Sequence, residues 1–192
     1  MSAIITDHRI VGSKVIKQIL TQVHKNHAQA YQSKHGTLPC MYYDKAWPSA
    51  CEVGEPMADG QIQWQATPFS EAHNFDVLAN ALECEFPEQL TVFYSQFYAG
   101  NIVAQFDGHQ IELLQPWNHD DYERLQQNIT GHVLMKRKLK QAETVFIGLT
   151  EQDDLLITVK LSSGEVCLEY VGKEPHHVLA SSIEELLQGL SY

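Results

Sequence analysis

The sequence predicts a single α+β domain: a largely antiparallel sheet flanked by an N-terminal helix, a long central helix and a short C-terminal helix. Three observations carry that expectation. A hairpin, a long amphipathic helix and a strand follow one another between Tyr94 and Leu149, a second strand meander follows them, and amphipathic helical runs stand near both ends. A chain of 192 residues buries one sizeable core, so one domain is expected over residues 1–192.

The first helix is expected from Ser13 to His35, with Val15, Ile16, Ile19, Leu20, Val23, Ala30 and Tyr31 on one face; Gly36 and Pro39 stop it. Residues 39–69 are the least regular part, because Pro48, Gly54, Pro56, Gly60 and Pro68 break any long period. Tyr42, Tyr43, Trp47 and Trp64 are available to pin this loop to the body. Phe75 to Leu82 reads as a short helix, and Leu90 to Tyr94 as a strand. Ile102 to Phe106 and the run through Ile111, Leu113 and Leu114 read as a hairpin. Its Asp107-Gly108 pair suits a type I′ turn, in which both central residues need positive φ.

Pro116 ends the hairpin, and Asn118 opens the strongest helical signal in the chain. The Asn118 side chain is placed to accept from the free N–H groups of the first turn, with Asp121 three residues on as in a capping box. Asp120, Asp121 and Glu123 stand at the positive end of the helix dipole; Lys136, Arg137, Lys138 and Lys140 stand at the negative end. Tyr122, Leu125, Ile129 and Val133 make the apolar stripe. From Asn118 to Lys140 the helix would span about 33 Å. Thr144–Leu149 follows as a strand, then Leu155–Leu161 and Glu165–Val171 around a Ser162-Ser163-Gly164 turn. Ser182 with Glu185 caps a final helix bearing Ile183, Leu186, Leu187 and Leu190.

Composition narrows the function. Hydrophobic content of 44% and charged content of 19% mark a globular chain. There is no apolar run long enough to span a membrane and no signal-peptide pattern in MSAIITDHRIVGSK. Cys40, Cys51, Cys84 and Cys167 lack C-x-x-C spacing and are expected as thiols. The net charge is −11, unevenly spread: residues 44–123 carry fourteen acids against the single base Lys45, while residues 124–140 carry five bases and no acid. That field repels nucleic acid and anionic lipid and favours a basic partner.

Catalytic signatures are absent: there is no G-x-G-x-x-G, P-loop, G-x-S-x-G or H-E-x-x-H. Among ten histidines, His24 and His27 have ligand spacing on one helix, but a solvated or interfacial pair is the expectation because no carboxylate joins them. His119, Asp120 and Asp121 have ligand chemistry, yet Asp at a helix start is accounted for by capping and the dipole. His176-His177 after Pro175 reads as a turn, and His132 as a hydrogen-bonded core residue. No enzyme activity, cofactor or metal is expected.

The segments WQATPF (64–69), FYSQFYAG (93–100), AQF (104–106), LLQPW (113–117), the N-x-x-GH of Asn128 to His132, SGEVC (163–167) and the tail HVLASSIEELLQGL resemble the Syd family of SecY-interacting proteins. The resemblance runs in order from about Trp64 onward. It implies a SUKH-like α+β fold and a cytoplasmic protein, peripheral on the inner membrane, that binds cytosolic loops of the SecY translocon subunit. It also implies a concave acidic docking face. Such loops are rich in Lys and Arg. The docking carboxylates are expected from placement rather than from the family: the hairpin tip, helix start and long loop can converge at one end of a sheet, which selects Asp44 and Glu52 from the irregular loop, Glu83 and Glu85, Asp107 and Glu112 of the hairpin, and Asp120 and Asp121 at the long helix start. Two rivals remain open: an immunity-type protein that neutralises a basic toxin, and a metal hydrolase using His119 and Asp120.

Overall fold

The structure, a computed structural model, describes residues 2–192, with side chains from Lys14 onward. Helix α1 (Ser2–His35) starts earlier than the sequence pattern suggests. From Lys14 it buries Ile16, Leu20, Val23, His24 and His27, a helical repeat that forms one stripe. Gly36, at φ 79°, ends it by donating its N–H to the Gln32 carbonyl.

Residues 39–69 are not irregular. They fold into a small antiparallel sheet of β1 (Cys40–Tyr42), β2 (Glu52–Val53) and β3 (Gln61–Trp64), in the order β1-β3-β2. β4 (Thr67–Pro68) pairs separately with β5 (Phe97–Tyr98). Strands of two to four residues are too short to show a period, which is why the sequence reads as loop. This small sheet has its own core of Cys51, Ile62, Trp64, Ala99 and Trp117, against which Tyr43 and Trp47 pack. Tyr42 takes no part in it and is 77% exposed.

Helix α2 (Asp76–Leu82) forms as expected, but Leu90–Tyr94 does not form a strand. It belongs to helix α3 (Glu88–Tyr94), which starts directly after Pro87 and buries Leu90, Val92, Phe93 and Tyr94 beside α1. The β-prone side chains are overridden by this burial and by the proline at the helix start.

The main sheet is a six-stranded antiparallel meander curled into a half-barrel, ordered β11-β10-β9-β8-β7-β6. β6 (Ile102–Phe106) and β7 (His109–Leu113) form the expected hairpin, with Asp107 and Gly108 at φ 50° and 78°. Ile102, Ala104, Ile111 and Leu113 face the core; Val103, Gln105, Gln110 and Glu112 face outward. β8 (Thr144–Thr150), β9 (Leu155–Lys160) and β10 (Val166–Tyr170) continue the meander. β11 (His177–Ala180) was not expected: His177 opens an edge strand on β10 rather than sitting in a turn.

Helix α4 (His119–Lys138) crosses the sheet against β8, burying Tyr122, Ile129 and Val133 with Leu125 half-buried. Lys136 stands in the last turn, as expected, but not in solvent. It is fully buried and lies 3.0 Å from Glu169 of β10. His132 has the expected core role, with Nε2 2.9 Å from the Thr144 hydroxyl. Helix α5 (Ile183–Gln188) is capped by Ser182, whose hydroxyl accepts from the Glu185 N–H, and lies against α1.

Candidate functional site

The start of α4 is assembled from residues far apart in sequence. Asn118 Oδ1 accepts from the Asp121 N–H at 2.9 Å, the capping bond the sequence leads one to expect. Asp121 answers by accepting, through Oδ2, from the Trp117 N–H at 2.8 Å. The loop before β2 is tied to the same point: Trp117 Nε1 donates to the Trp47 carbonyl, Asn118 Nδ2 donates to the Pro48 carbonyl, and the Ser49 hydroxyl donates to the Trp117 carbonyl. Arg124, one turn into the helix, pairs with Asp121 at 2.7 Å and lays its guanidinium 5.1 Å from the centre of the Trp47 ring.

Beside this junction opens a cleft of about 1040 Å³, bounded by the second half of α1, the outward face of the β6–β7 hairpin and the small sheet. Its walls are aromatic: Tyr31, Trp47, Trp64, Trp117 and Tyr192. Its charged lining is Glu112 and Asp121 together with Lys34 and Arg124. Glu112 accepts from Asn101 Nδ2 at 2.7 Å, and Asn101 Oδ1 accepts from the Gln115 N–H, which ties the hairpin to the start of α4.

Gln115 and His27 of the lining, and His24 outside it, hold buried polar atoms without a hydrogen bond. Gln115 is 6% exposed; its Nε2 donates to the Leu114 and Phe93 carbonyls while its Oε1 has no hydrogen bond. His27 stacks on Trp64 with centroids 5.6 Å apart and leaves Nδ1 unpaired. His24 packs its ring edge-on to Phe97, with both nitrogens unpaired. Of the two expectations for this pair, solvated or interfacial, the solvated one fails: both rings are buried where α1 meets Phe97 and Trp64. Burial pushes each imidazole down to about 4; at His24 the neighbouring Gln115 side chain works the other way and His27 adds to the fall. Both are neutral near pH 7.

Five of the eight sequence-chosen carboxylates come to this end of the molecule. Asp44 is joined to Trp47 by a backbone hydrogen bond, Glu52 accepts from the Ser49 N–H, Asp120 is exposed in the first turn of α4, and Glu112 and Asp121 line the cleft. The other three lie elsewhere. Asp107 is at the hairpin tip, four residues along the strand from Val103, which pairs with Glu112. Glu83, the left-handed cap of α2, acts on Arg137 near the far end of α4, about 24 Å along the helix from Asp121. Glu85 is two residues beyond it, and both are exposed. Gln115 and Arg124 are not picked out by the sequence, and His27 is picked out only for its spacing from His24. Only the aromatic segments around Trp64 and Trp117 hinted at a shared site.

Among the described residues no group of three or more His, Cys, Asp or Glu side chains is arranged to hold a metal ion. His119 instead sits 3.4 Å from Glu123, one turn along α4. All four cysteines are free, and burial pushes the Cys51 thiol up to about 12, an unreactive setting.

A family model described as Syd protein (SUKH-2) matches residues 17–191. The chain belongs to the Syd family. Protein Syd of Pseudoalteromonas translucida is 58% identical over 171 residues, which covers 89% of this chain and 96% of that one. Protein Syd of Colwellia psychrerythraea is 37% identical, covering 94% of both chains, and that of Erwinia tasmaniensis 36%, covering 90% and 92%. The small sheet at residues 40–64, absent from the segments that first suggested the family, lies inside the Syd match.

Proposed function

We propose that this Syd-family chain is a non-catalytic binding protein, cytoplasmic and peripheral on the inner membrane, that docks onto basic cytosolic loops of the SecY translocon subunit. What supports the reading is an aromatic-walled cleft lined by Glu112 and Asp121, next to a junction that ties the loop carrying Asp44 and Glu52 to the helix start bearing Asp120. Carboxylates at a concavity attract lysines and arginines and speed encounter; the aromatic walls supply contact area once the loop is seated. Asp107, Glu83 and Glu85 extend the acidic field but lie away from the cleft. Covering those loops would exclude other proteins that need them, so docking would modulate or check the translocon.

The test is binding to purified SecY complex at low and high salt. Association should be fast at low salt and slow steeply as salt rises. Asp120 is the residue to reverse, because its side chain is exposed and carries no cap, whereas Asp121 holds the Trp117 N–H. Asp120→Lys should lower the on-rate severalfold and change the off-rate little. Salt-independent binding, or capture of a soluble basic protein in place of SecY, would overturn the assignment.

A further inference from the structure

The cleft contains a built subsite that the protein's own arginine fills. Trp47 is held in place by its carbonyl, which accepts from Trp117 Nε1, and Asp121 is held by the Trp117 N–H on Oδ2. Between them sits the Arg124 guanidinium, which donates through Nη2 to Asp121 Oδ1 at 2.7 Å and lies over the Trp47 ring, 5.1 Å from its centre. A planar cation on a tryptophan face with a carboxylate at its edge is the arrangement that recognises arginine better than lysine. Arg124 is weakly retained there. Its side chain is 61% exposed, and an ion pair so open to water is readily exchanged. Asp120, four residues N-terminal to Arg124 and exposed, stands at the spacing at which an acid receives a displaced helical arginine. Gln115, 6% exposed, lines the same cleft.

We propose that Arg124 is a placeholder, and that an arginine from an extended basic segment of the partner displaces it from Trp47 and Asp121 to seat in the cleft. The inference rests on the docking reading above and adds its specificity: arginine rather than lysine, with Arg124 as an internal competitor. Its consequence has an unusual sign. Removing a cleft-lining residue strengthens binding, because the subsite is vacated and a like charge leaves the path of the incoming guanidinium.

The experiment measures binding of a short basic peptide carrying one arginine among lysines, and of its all-lysine twin, to the full chain and to Arg124→Gln. Trp47 fluorescence and calorimetry provide the readouts. Lys138→Gln is the control: it changes net charge equally but lies fourteen residues further along α4, about 21 Å away. The wild-type chain should prefer the arginine peptide severalfold. Arg124→Gln should bind that peptide about tenfold tighter, gain less for the lysine twin, and quench differently at Trp47, while Lys138→Gln stays near wild type. Arg124→Lys, which keeps the charge but loses the planar fork, should fall between. If the wild type binds the peptides and Arg124→Gln gains nothing or loses affinity, the placeholder assignment is wrong and docking stands. An equal gain in Lys138→Gln also overturns it, since the effect is then net charge alone. Absence of binding to either peptide in every variant overturns both.

Discussion

Lys136 and Glu169 meet at 3.0 Å with neither side chain exposed to solvent, an ion pair in the interior between α4 and β10. The Thr144 and Thr158 hydroxyls donate to Glu169 Oε2 at 2.8 and 3.3 Å, and Lys136 Nζ donates to the Lys173 carbonyl at 2.5 Å. Two charges taken out of water are tolerated only as a matched set, so deleting one is far worse than deleting both. Lys136→Met should cost about 3–5 kcal/mol in urea unfolding, and Lys136→Met with Glu169→Leu should recover much of that loss. The buried imidazoles of His24 and His27 make the fold acid-sensitive, alongside His132, which burial also lowers. His24 and His27 are each lowered to about 4 in the folded chain against about 6.5 in the unfolded one, so the unfolded state holds more protons between those values. Stability contributed by these sites is therefore full above about pH 6.5 and is lost as pH falls towards 4, at about 1.4 kcal/mol per pH unit for each proton. The double variant His24→Phe, His27→Phe should flatten that slope in unfolding curves taken from pH 7 to pH 4. A slope unchanged from wild type would place the acid sensitivity elsewhere.

Helix α4 and the segments bound to its start act as one element. Asn118 both caps the helix and, through Nδ2, holds the Pro48 carbonyl. Asn118→Ala should therefore cost about 1–2 kcal/mol and also loosen the loop carrying Trp47, which a change in tryptophan emission would report. Gly100 is the second support of this region: a Cβ there would lie 2.6 Å from the Trp64 ring, so Gly100→Ala must push the indole out of the small core. Overpacking of that kind costs about 1–3 kcal/mol. What was legible beforehand follows from how local each determinant is. The Asn118 cap, the Asp107-Gly108 turn and the Ser182 cap are written within four residues and the stripe on α4 repeats within a single helix, and all are readable. Helix α3 was not, because Thr91-Val92-Phe93-Tyr94 prefers a strand locally and only contact with α1 makes it helical. The small sheet was missed because its strands are shorter than any period. At the candidate site, bonds between residues 47–49 and 117–118 bring Asp44 and Glu52 to Asp120 and Asp121. Glu83 was grouped with them only because nothing local reveals that α2 ends beside Arg137.

The whole molecule carries −11, yet its charges are polarised along α4, with Asp120, Asp121 and Glu123 at one end and Arg137, Lys138 and Lys140 at the other. Two routes to a membrane are then physically distinct: direct contact with anionic headgroups, or contact with basic protein loops that project from them. No helix among the described residues is long and apolar enough to cross a bilayer. The cytoplasmic leaflet holds a negative surface potential that repels a chain of this net charge, and the repulsion reaches about 8 Å at physiological ionic strength. The basic end of α4 offers only a few cations against that field, one of them already paired: Arg137 is bound by both oxygens of Glu143 at 2.7 and 3.0 Å. Protein-free vesicles containing phosphatidylserine should therefore leave the chain in the supernatant at physiological salt, and vesicles bearing reconstituted SecY complex should pull it down. Raising salt should weaken that capture, because the attraction being screened is between carboxylates and loop cations. The opposite pattern, co-sedimentation with bare anionic vesicles that equals the signal with SecY, would mean that the basic end of α4 does the anchoring, and the proposed docking would fall.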